Sequence, residues 1–251
     1  MITSTEDGGI VEIYLDHPPV NALPAEGWAR LAEMIADHGR RDATRVVIIA
    51  AKGRGFCAGV DIKELARHPD RIAAVNRGNY DTYAAIQDCP VPVIAAVHGF
   101  VLGGGVGIAG SSDIVIASSD AYFGLPEIDR GAMGAATHLM QLVSVQKARR
   151  MFYTGETVTA EEVFRFGSIE DVVPPEELLT RGRELAEIIA SKSPRAMRLA
   201  KRSINGILPV DLQKSYRFEQ GFTFELYTSP DSQEARAAFV EKRDASFEND
   251  A

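Results

Sequence analysis

Cysteine is scarce in this chain of 251 residues: there are two, Cys57 and Cys89, and neither sits in a CxxC pair. That excludes a disulfide framework and predicts free thiols in a reducing compartment. Five histidines are scattered with no HExxH or paired spacing, so no metal site is expected. No apolar run approaches the ~18 residues of a membrane span. The opening Met1-Ile-Thr-Ser-Thr-Glu-Asp7 lacks the basic and apolar pattern of a leader. Positive charge is in deficit, with 27 Lys and Arg against 35 Asp and Glu and a net charge of −8. This argues against a nucleic-acid or membrane surface, while leaving room for a small anionic ligand held by a few local cations. Repeats, low-complexity segments and long linkers are also missing. The expectation is a cytoplasmic protein with no membrane and no nucleic acid as partner.

What is present is ordinary globular composition, 45% hydrophobic and 25% charged, in a chain long enough to bury a full core. Ile10-Val-Glu-Ile-Tyr-Leu15 alternates as a strand, and Pro18 and Pro19 end it. An amphipathic helix follows Leu23-Pro24 and runs to about Gly39; its Trp28 is expected in the core. Arg45-Val-Val-Ile-Ile-Ala-Ala51 reads as a buried strand. Residues 70–88 read as a helix, Pro92–Val97 and Asp113–Ala117 as buried strands, and residues 121–124 as a short strand. After Gly134 helices dominate, apart from a strand at Ile169–Val173. The last stretch reads as three helices, near 193–205, 210–227 and 230–243. Alternating strands and helices followed by clustered helices predict an α/β core with a helical C-terminal part.

The stretch Val101-Leu-Gly-Gly-Gly-Val-Gly-Ile-Ala-Gly110 follows the strand at 92–97 and opens a helix. Glycine lets backbone N–H groups approach a ligand, and a helix N-terminus adds unpaired donors and a positive dipole end. Either a phosphate or an oxyanion suits such a turn. Gly105-Val-Gly-Ile-Ala-Gly110 matches GxGxxG, and Glu127 lies near the spacing of a ribose-binding acid. The match is mid-chain, however, and residues 111–127 hold two strand-like runs where a dinucleotide fold needs one. A P-loop fails because no GK[ST] follows. A run that merely allows close helix–strand packing is the plain alternative.

A second loop, Ala58-Gly-Val-Asp-Ile-Lys63, also leaves a buried strand and turns into a helix. Two such loops, each presenting a backbone N–H, can grip one carbonyl oxygen and stabilise a thioester enolate. Here the chain resembles the enoyl-CoA hydratase/isomerase, or crotonase, family. The resemblance rests on Phe56-Cys-Ala-Gly-Val-Asp-Ile-Lys-Glu64, Pro92-Val-Ile-Ala-Ala-Val-His-Gly-Phe-Val-Leu-Gly-Gly-Gly105 and Phe123-Gly-Leu-Pro-Glu-Ile128. It extends to Val20-Asn-Ala-Leu23 and Ala238-Phe-Val-Glu-Lys-Arg243. It implies a spiral of ββα turns over residues 1–191 and a helical region over 192–251 used for oligomerisation into a homo-trimer or hexamer. It implies acyl-CoA substrates and no resident cofactor, coenzyme A being carried by the substrate. Matched by motif, the oxyanion donors are the N–H groups of Val60 and Gly104. Ala58, Asp61 and Ile62 would lie along the CoA, and Gly103 and Gly107 beside the acyl group. Lys63 is either a partner for a CoA phosphate at the mouth or a solvated surface lysine.

Hydratases of that family use two glutamates. One matches Glu127; the other position falls on Gly107, which has no side chain. Hydration needs a held, deprotonated water and a proton delivered to carbon, work that two carboxylates share well. One carboxylate suits isomerisation of a Δ3,Δ2-enoyl-CoA, or activation of water against a ketone β to the thioester. In the second case the carbon–carbon bond breaks and the electrons collect as a thioester enolate. Glu127 needs an elevated pKa or a placed water for either role; its plain alternative is a loop-capping carboxylate. Asn76-Arg-Gly78, Phe123–Leu139, Phe166-Gly-Ser168 and Ser215–Leu226 resemble an actinobacterial subgroup of the family that opens steroid rings. That resemblance implies hydrolysis of a cyclic β-diketone CoA ester in steroid catabolism, with room for a bicyclic acyl group gained at Gly107. An enoyl-CoA hydratase or isomerase remains the alternative, as does a non-catalytic protein that binds CoA or RNA.

Other side chains carry paired readings. His138, early in the helix after Glu127, either reaches the acyl pocket or is structural. Asp129 and Arg130 either orient Glu127 or, as the expected reading, pair with each other, and Asp61 is expected to cap its helix. Tyr80 and Tyr83 either wall the acyl pocket or pack in the core. Cys57, beside the second loop, is read as a nucleophile or, with no histidine near it in sequence, as a small buried apolar residue, the better reading.

Overall fold

The computed structural model of the chain describes residues 1–247. Strands β1 (Ile2–Asp7) and β2 (Ile10–Leu15) form an antiparallel hairpin closed by Gly8 and Gly9. β1 carries no apolar alternation because it lies at the sheet's edge, which is why the sequence does not signal it. Helix α1 (Ala25–Arg40) buries Trp28, Leu31 and Ile35 at helical spacing. β3 (Val46–Ala51) follows, then α2 (Ile62–Arg67) and α3 (Ile72–Asp88), separated by a 3-10 turn at Pro69–Arg71. Next come β4 (Val93–Val97), β5 (Phe100–Leu102) and α4 (Gly104–Ser111). β6 (Ile114–Ser118) and β7 (Tyr122–Gly124) lead through a 3-10 helix at Pro126–Arg130 into α5 (Ala136–Leu142) and α6 (Val145–Thr154). β8 (Thr157–Thr159), α7 (Ala160–Arg165), β9 (Asp171–Val173) and α8 (Leu178–Ala190) complete the core. The three expected C-terminal helices are α9 (Pro194–Ile207), α10 (Leu212–Tyr227) and α11 (Pro230–Glu241). Residues 248–251, the end of the expected helical region, lie outside the described residues.

The large sheet has the order β1-β2-β3-β4-β6-β9 and is parallel from β2 onward, with Val47 opposite Val93, Ala95 opposite Val115 and Ile116 opposite Asp171. A small sheet, β5-β7-β8, is continued by single bridges between Cys57 and Val101 and between Leu23 and Val60. Each turn of chain therefore visits the large sheet, then the small one, then a helix: β4, β5 and α4 form one turn, and β6, β7 and α5 the next. This is the expected α/β spiral of ββα turns. It also corrects one detail. The glycine run does not leave the strand at 92–97 directly, because β5 of the small sheet intervenes.

Both faces of the large sheet are covered, which accounts for its unbroken apolar strands. One face of β3 and β4, with Val47, Ile49, Val93 and Ala95, joins Trp28, Leu31, Ile35, Tyr83 and Ile86 in the main core. The other, with Ile48, Ala50, Ile94 and Ala96, packs on Leu178 and Ala186 of α8. Among the described residues no helix is long and apolar enough to cross a membrane.

Candidate active site

The small sheet brings the two loops together. Leu23 N–H donates to Gly59 O (2.9 Å) and Asp61 N–H to Leu23 O (3.0 Å), so the parallel bridge passes Val60 by and its own N–H points away from Leu23. Leu102 N–H donates to Cys57 O (2.9 Å), and Gly103 N–H to Gly124 O (3.0 Å). Gly104 is the first residue of α4 and its N–H has no intrahelical acceptor. Gly59 adopts φ +89°, and a Cβ there would stand 3.2 Å from Gly104 N. The Val60 loop and the Gly104 turn thus abut, with two free N–H groups at one edge of a cavity. Ala58, Val60, Ile62, Gly103, Gly104 and Glu127 all line it. Asp61 caps α2 as expected, accepting from Lys63 N (2.9 Å) and Glu64 N (3.2 Å). Lys63 is exposed outside the cavity.

Glu127 enters from the 3-10 helix, with its backbone carbonyl accepting from Ala132 N–H (3.0 Å). Its carboxylate lies over the Gly103 turn: a Cβ at Gly103, already at φ +54°, would collide with Glu127 Oε1. Only glycine lets the carboxylate lie beside the Gly104 donor. Glu127 Oε2 is buried and has no hydrogen-bond partner among the described residues, although the residue as a whole keeps some exposure. Burial pushes its pKa up to about 7; its own backbone hydrogen bond and the Arg130 charge oppose the shift, while Glu219 adds to it. A carboxyl group half-protonated near neutrality, with one oxygen that has no partner among the described residues, can both take and return a proton.

Gly107 does not open space for substrate, contrary to the expectation from its missing side chain. The Tyr83 ring fills the slot, and a Cβ at Gly107 would collide with it. Tyr83 lines the cavity, packs edge-on to Trp28 (6.2 Å between ring centroids) and donates to Gly104 O (3.4 Å). His138 does not reach the cavity either. It stacks behind Tyr83 (4.5 Å) and Tyr216 (5.0 Å), and burial drives its pKa down to about 3, so it is neutral and structural. Tyr80 is held outside by Gln213 (3.2 Å) and by the Arg217 guanidinium 3.5 Å from its ring centre. Arg130 does not pair with Asp129; it lines the cavity and covers the Phe239 ring at 4.8 Å. Cys57 is buried, and desolvation pushes its thiol up to about 12, which removes it as a nucleophile. The remaining glycines of the GxGxxG match serve packing: Cβ atoms at Gly105 and Gly110 would strike Cys57 O and His138 O.

Several cavity residues escape the sequence reading. Asn76 and Asn79 of α3 point polar amides into the lining, and Tyr216, Thr223 and Tyr227 of α10 form the wall opposite. Glu219 of α10 accepts from Ala136 N (2.7 Å), Thr137 N (2.9 Å) and Thr137 Oγ1 (2.7 Å), capping α5 from across the fold. A polar stripe at i, i+3 within the otherwise apolar cavity face of α3 is the signal that could have found the asparagines.

Comparison with known proteins agrees with this architecture. The enoyl-CoA hydratase/isomerase family profile matches residues 5–250. A Rhodococcus jostii protein named (7aS)-7a-methyl-1,5-dioxo-2,3,5,6,7,7a-hexahydro-1H-indene-carboxyl-CoA hydrolase is 52% identical over 96% of this chain and 94% of its own. A Mycobacterium tuberculosis protein of the same name is 47% identical over 96% of this chain and 98% of its own. Among solved structures, an enoyl-CoA hydratase from Mycobacterium avium subsp. paratuberculosis superposes with a TM-score of 0.88 at 26% identity, covering 99% of this chain and 98% of that one.

Proposed function

The chain belongs to the enoyl-CoA hydratase/isomerase family, and from that premise we propose that it hydrolyses a carbon–carbon bond in the CoA thioester of a cyclic β-diketone, opening a ring in steroid breakdown. The observation that carries this reading is the single carboxylate: Glu127 faces the cavity, while the place of a second is taken by the Tyr83 ring over Gly107. The names of the relatives at 52% and 47% identity support the substrate class. Glu127 takes a proton from water, which adds to the ring ketone. The bond from that carbon to the carbon α to the thioester then breaks. Its electrons settle on the thioester oxygen, facing the N–H groups of Val60 and Gly104, and Glu127 returns the proton to the α-carbon. The sum is substrate plus water giving a ring-opened acid with its thioester intact. Ala58, Ile62 and Gly103 bound the acyl end, and Asp61 and Lys63 flank the outer approach of the CoA.

The same reading assigns a cytoplasmic enzyme with no resident cofactor. It also assigns a core over 1–191 and a region over 192–251 that assembles trimers or hexamers. Exposed Leu199, Ile204, Ile207, Phe218, Phe222 and Val240 on the last three helices support that assembly. The decisive experiment supplies purified protein and Glu127→Gln with crotonyl-CoA and, separately, with a CoA ester of a cyclic β-diketone, and reads the products by mass. Ring opening that vanishes in the variant is expected. Brisk hydration of crotonyl-CoA beside an untouched diketone would overturn the reading in favour of a hydratase.

A further inference from the structure

Hydrolytic ring opening places negative charge on two oxygens in succession. The first is the ketone oxygen when water adds to its carbon; the second is the thioester oxygen when the carbon–carbon bond breaks. The N–H groups of Val60 and Gly104 serve only the second. The cavity holds a further pair of donors with nothing to bind. Asn76 and Asn79 are 7% and 6% exposed, both line the cavity with Glu127, and neither side-chain amide makes a hydrogen bond to a described residue. Two buried primary amides without partners carry an uncompensated desolvation penalty, which a ligand oxygen would remove.

We propose that the side-chain amides of Asn76 and Asn79 form a second oxyanion site, which holds the ring ketone oxygen as water attacks its carbon. The proposal rests on the ring-opening reading. The two residues sit three apart on α3 and present their side chains side by side. Ile72, Val75 and Tyr83 on the same helix line the cavity around them and keep the local dielectric low, which strengthens a hydrogen bond to a charged oxygen. α3 is clamped at this point. A Cβ at Gly78 would come within 2.7 Å of Trp28 Cβ, and Gln220 Nε2 donates to Asn76 O at 2.7 Å from the other side. The backbone that carries the two donors is therefore fixed before substrate arrives, and only the amide torsions remain for the ligand to set. With no partner among the described residues, each amide is free to turn its NH2 toward the ligand. A substrate of simple hydration, such as crotonyl-CoA, has no second oxygen to occupy this site.

The test uses the full chain and its Asn76→Leu and Asn79→Leu variants. It measures kcat and KM for ring opening of the β-diketone thioester, and direct binding of cyclohexanecarboxyl-CoA, which has the thioester but no ring ketone. Each variant should lose about 100-fold in kcat, the usual effect of removing one oxyanion donor, while binding cyclohexanecarboxyl-CoA as the parent does. Ring opening within threefold of the parent overturns the second site and leaves the ring-opening reading standing. So does a loss matched by an equal loss of cyclohexanecarboxyl-CoA affinity, which would mark a packing role. A parent protein that opens no ring overturns both.

Discussion

Glu127 and Glu219 are both carboxylates withdrawn from water, and the fold surrounds them in opposite ways. Glu219 is met by three donors from the start of α5. Its pKa is still raised by burial, against those hydrogen bonds. Glu127 Oε2 is met by none among the described residues. Glu219 thereby fixes the end of a helix whose N-cap residue, Ala135, has no side-chain acceptor to offer. Burial keeps the proton affinity of Glu127 near neutrality, with only its own backbone hydrogen bond and the Arg130 charge opposing it. The contrast teaches how a site can be recognised: structural buried carboxylates are hydrogen-bonded, and those reserved for chemistry are left wanting.

The sharpest way to break this comparison is to cross the two positions. Glu127→Gln should lower kcat by about 1,000-fold, the scale of a lost general base, with no fall in melting temperature. Glu219→Ala should strand three donors and cost about 3 kcal/mol of stability, measured by denaturant unfolding, with the smaller effect on kcat. Equal losses of activity in both would erase the distinction. The next largest effect is on pH. Because the folded pKa of Glu127 lies above its ordinary value of 4.5, at about 7, its contribution to stability is complete below pH 4.5. That contribution declines as pH rises through 7, by roughly 3 kcal/mol in all. Activity should rise over the same range, since the carboxylate is the working form. Unfolding of the parent and of Glu127→Gln between pH 4 and 8 checks the sign; parallel profiles would refute it. Gly107→Ala should cost about 1–3 kcal/mol by crowding Tyr83, and unchanged stability would mean that the ring yields. Smallest is Lys63→Ala: an exposed pairing worth at most about 1 kcal/mol predicts a KM for the CoA thioester raised less than about fivefold and fading with salt.

The parts of the site that sequence made legible are local ones. The turns at Gly59 and Gly103, the helix cap at Asp61 and the position of Glu127 each follow from a short motif whose backbone needs those residues. The buried strands and C-terminal helices were legible from apolar patterning. What escaped depends on segments far apart in the chain. That Tyr83 fills the slot over Gly107 cannot be read from either residue alone. The glycine by itself suggests added room, and only the packing of α3 on α4 reverses that inference. His138 looks like a candidate acid or base until Tyr83 and Tyr216 are seen to wall it off. Glu219 acts 83 residues from its donor partner, the Ala136 N–H.

Beyond lining the cavity, helix α10 is bonded around the site through Glu219 at the start of α5, Gln220 on Asn76 O, and Thr223 Oγ1 on Met133 O (3.1 Å). A ribosome delivers the Val60 loop, the glycine turn and Glu127 long before it delivers this helix. The order of synthesis thus separates having the reactive groups from having them enclosed. A nascent chain can thus hold most of its spiral before the helices that line one side of the cavity have been made.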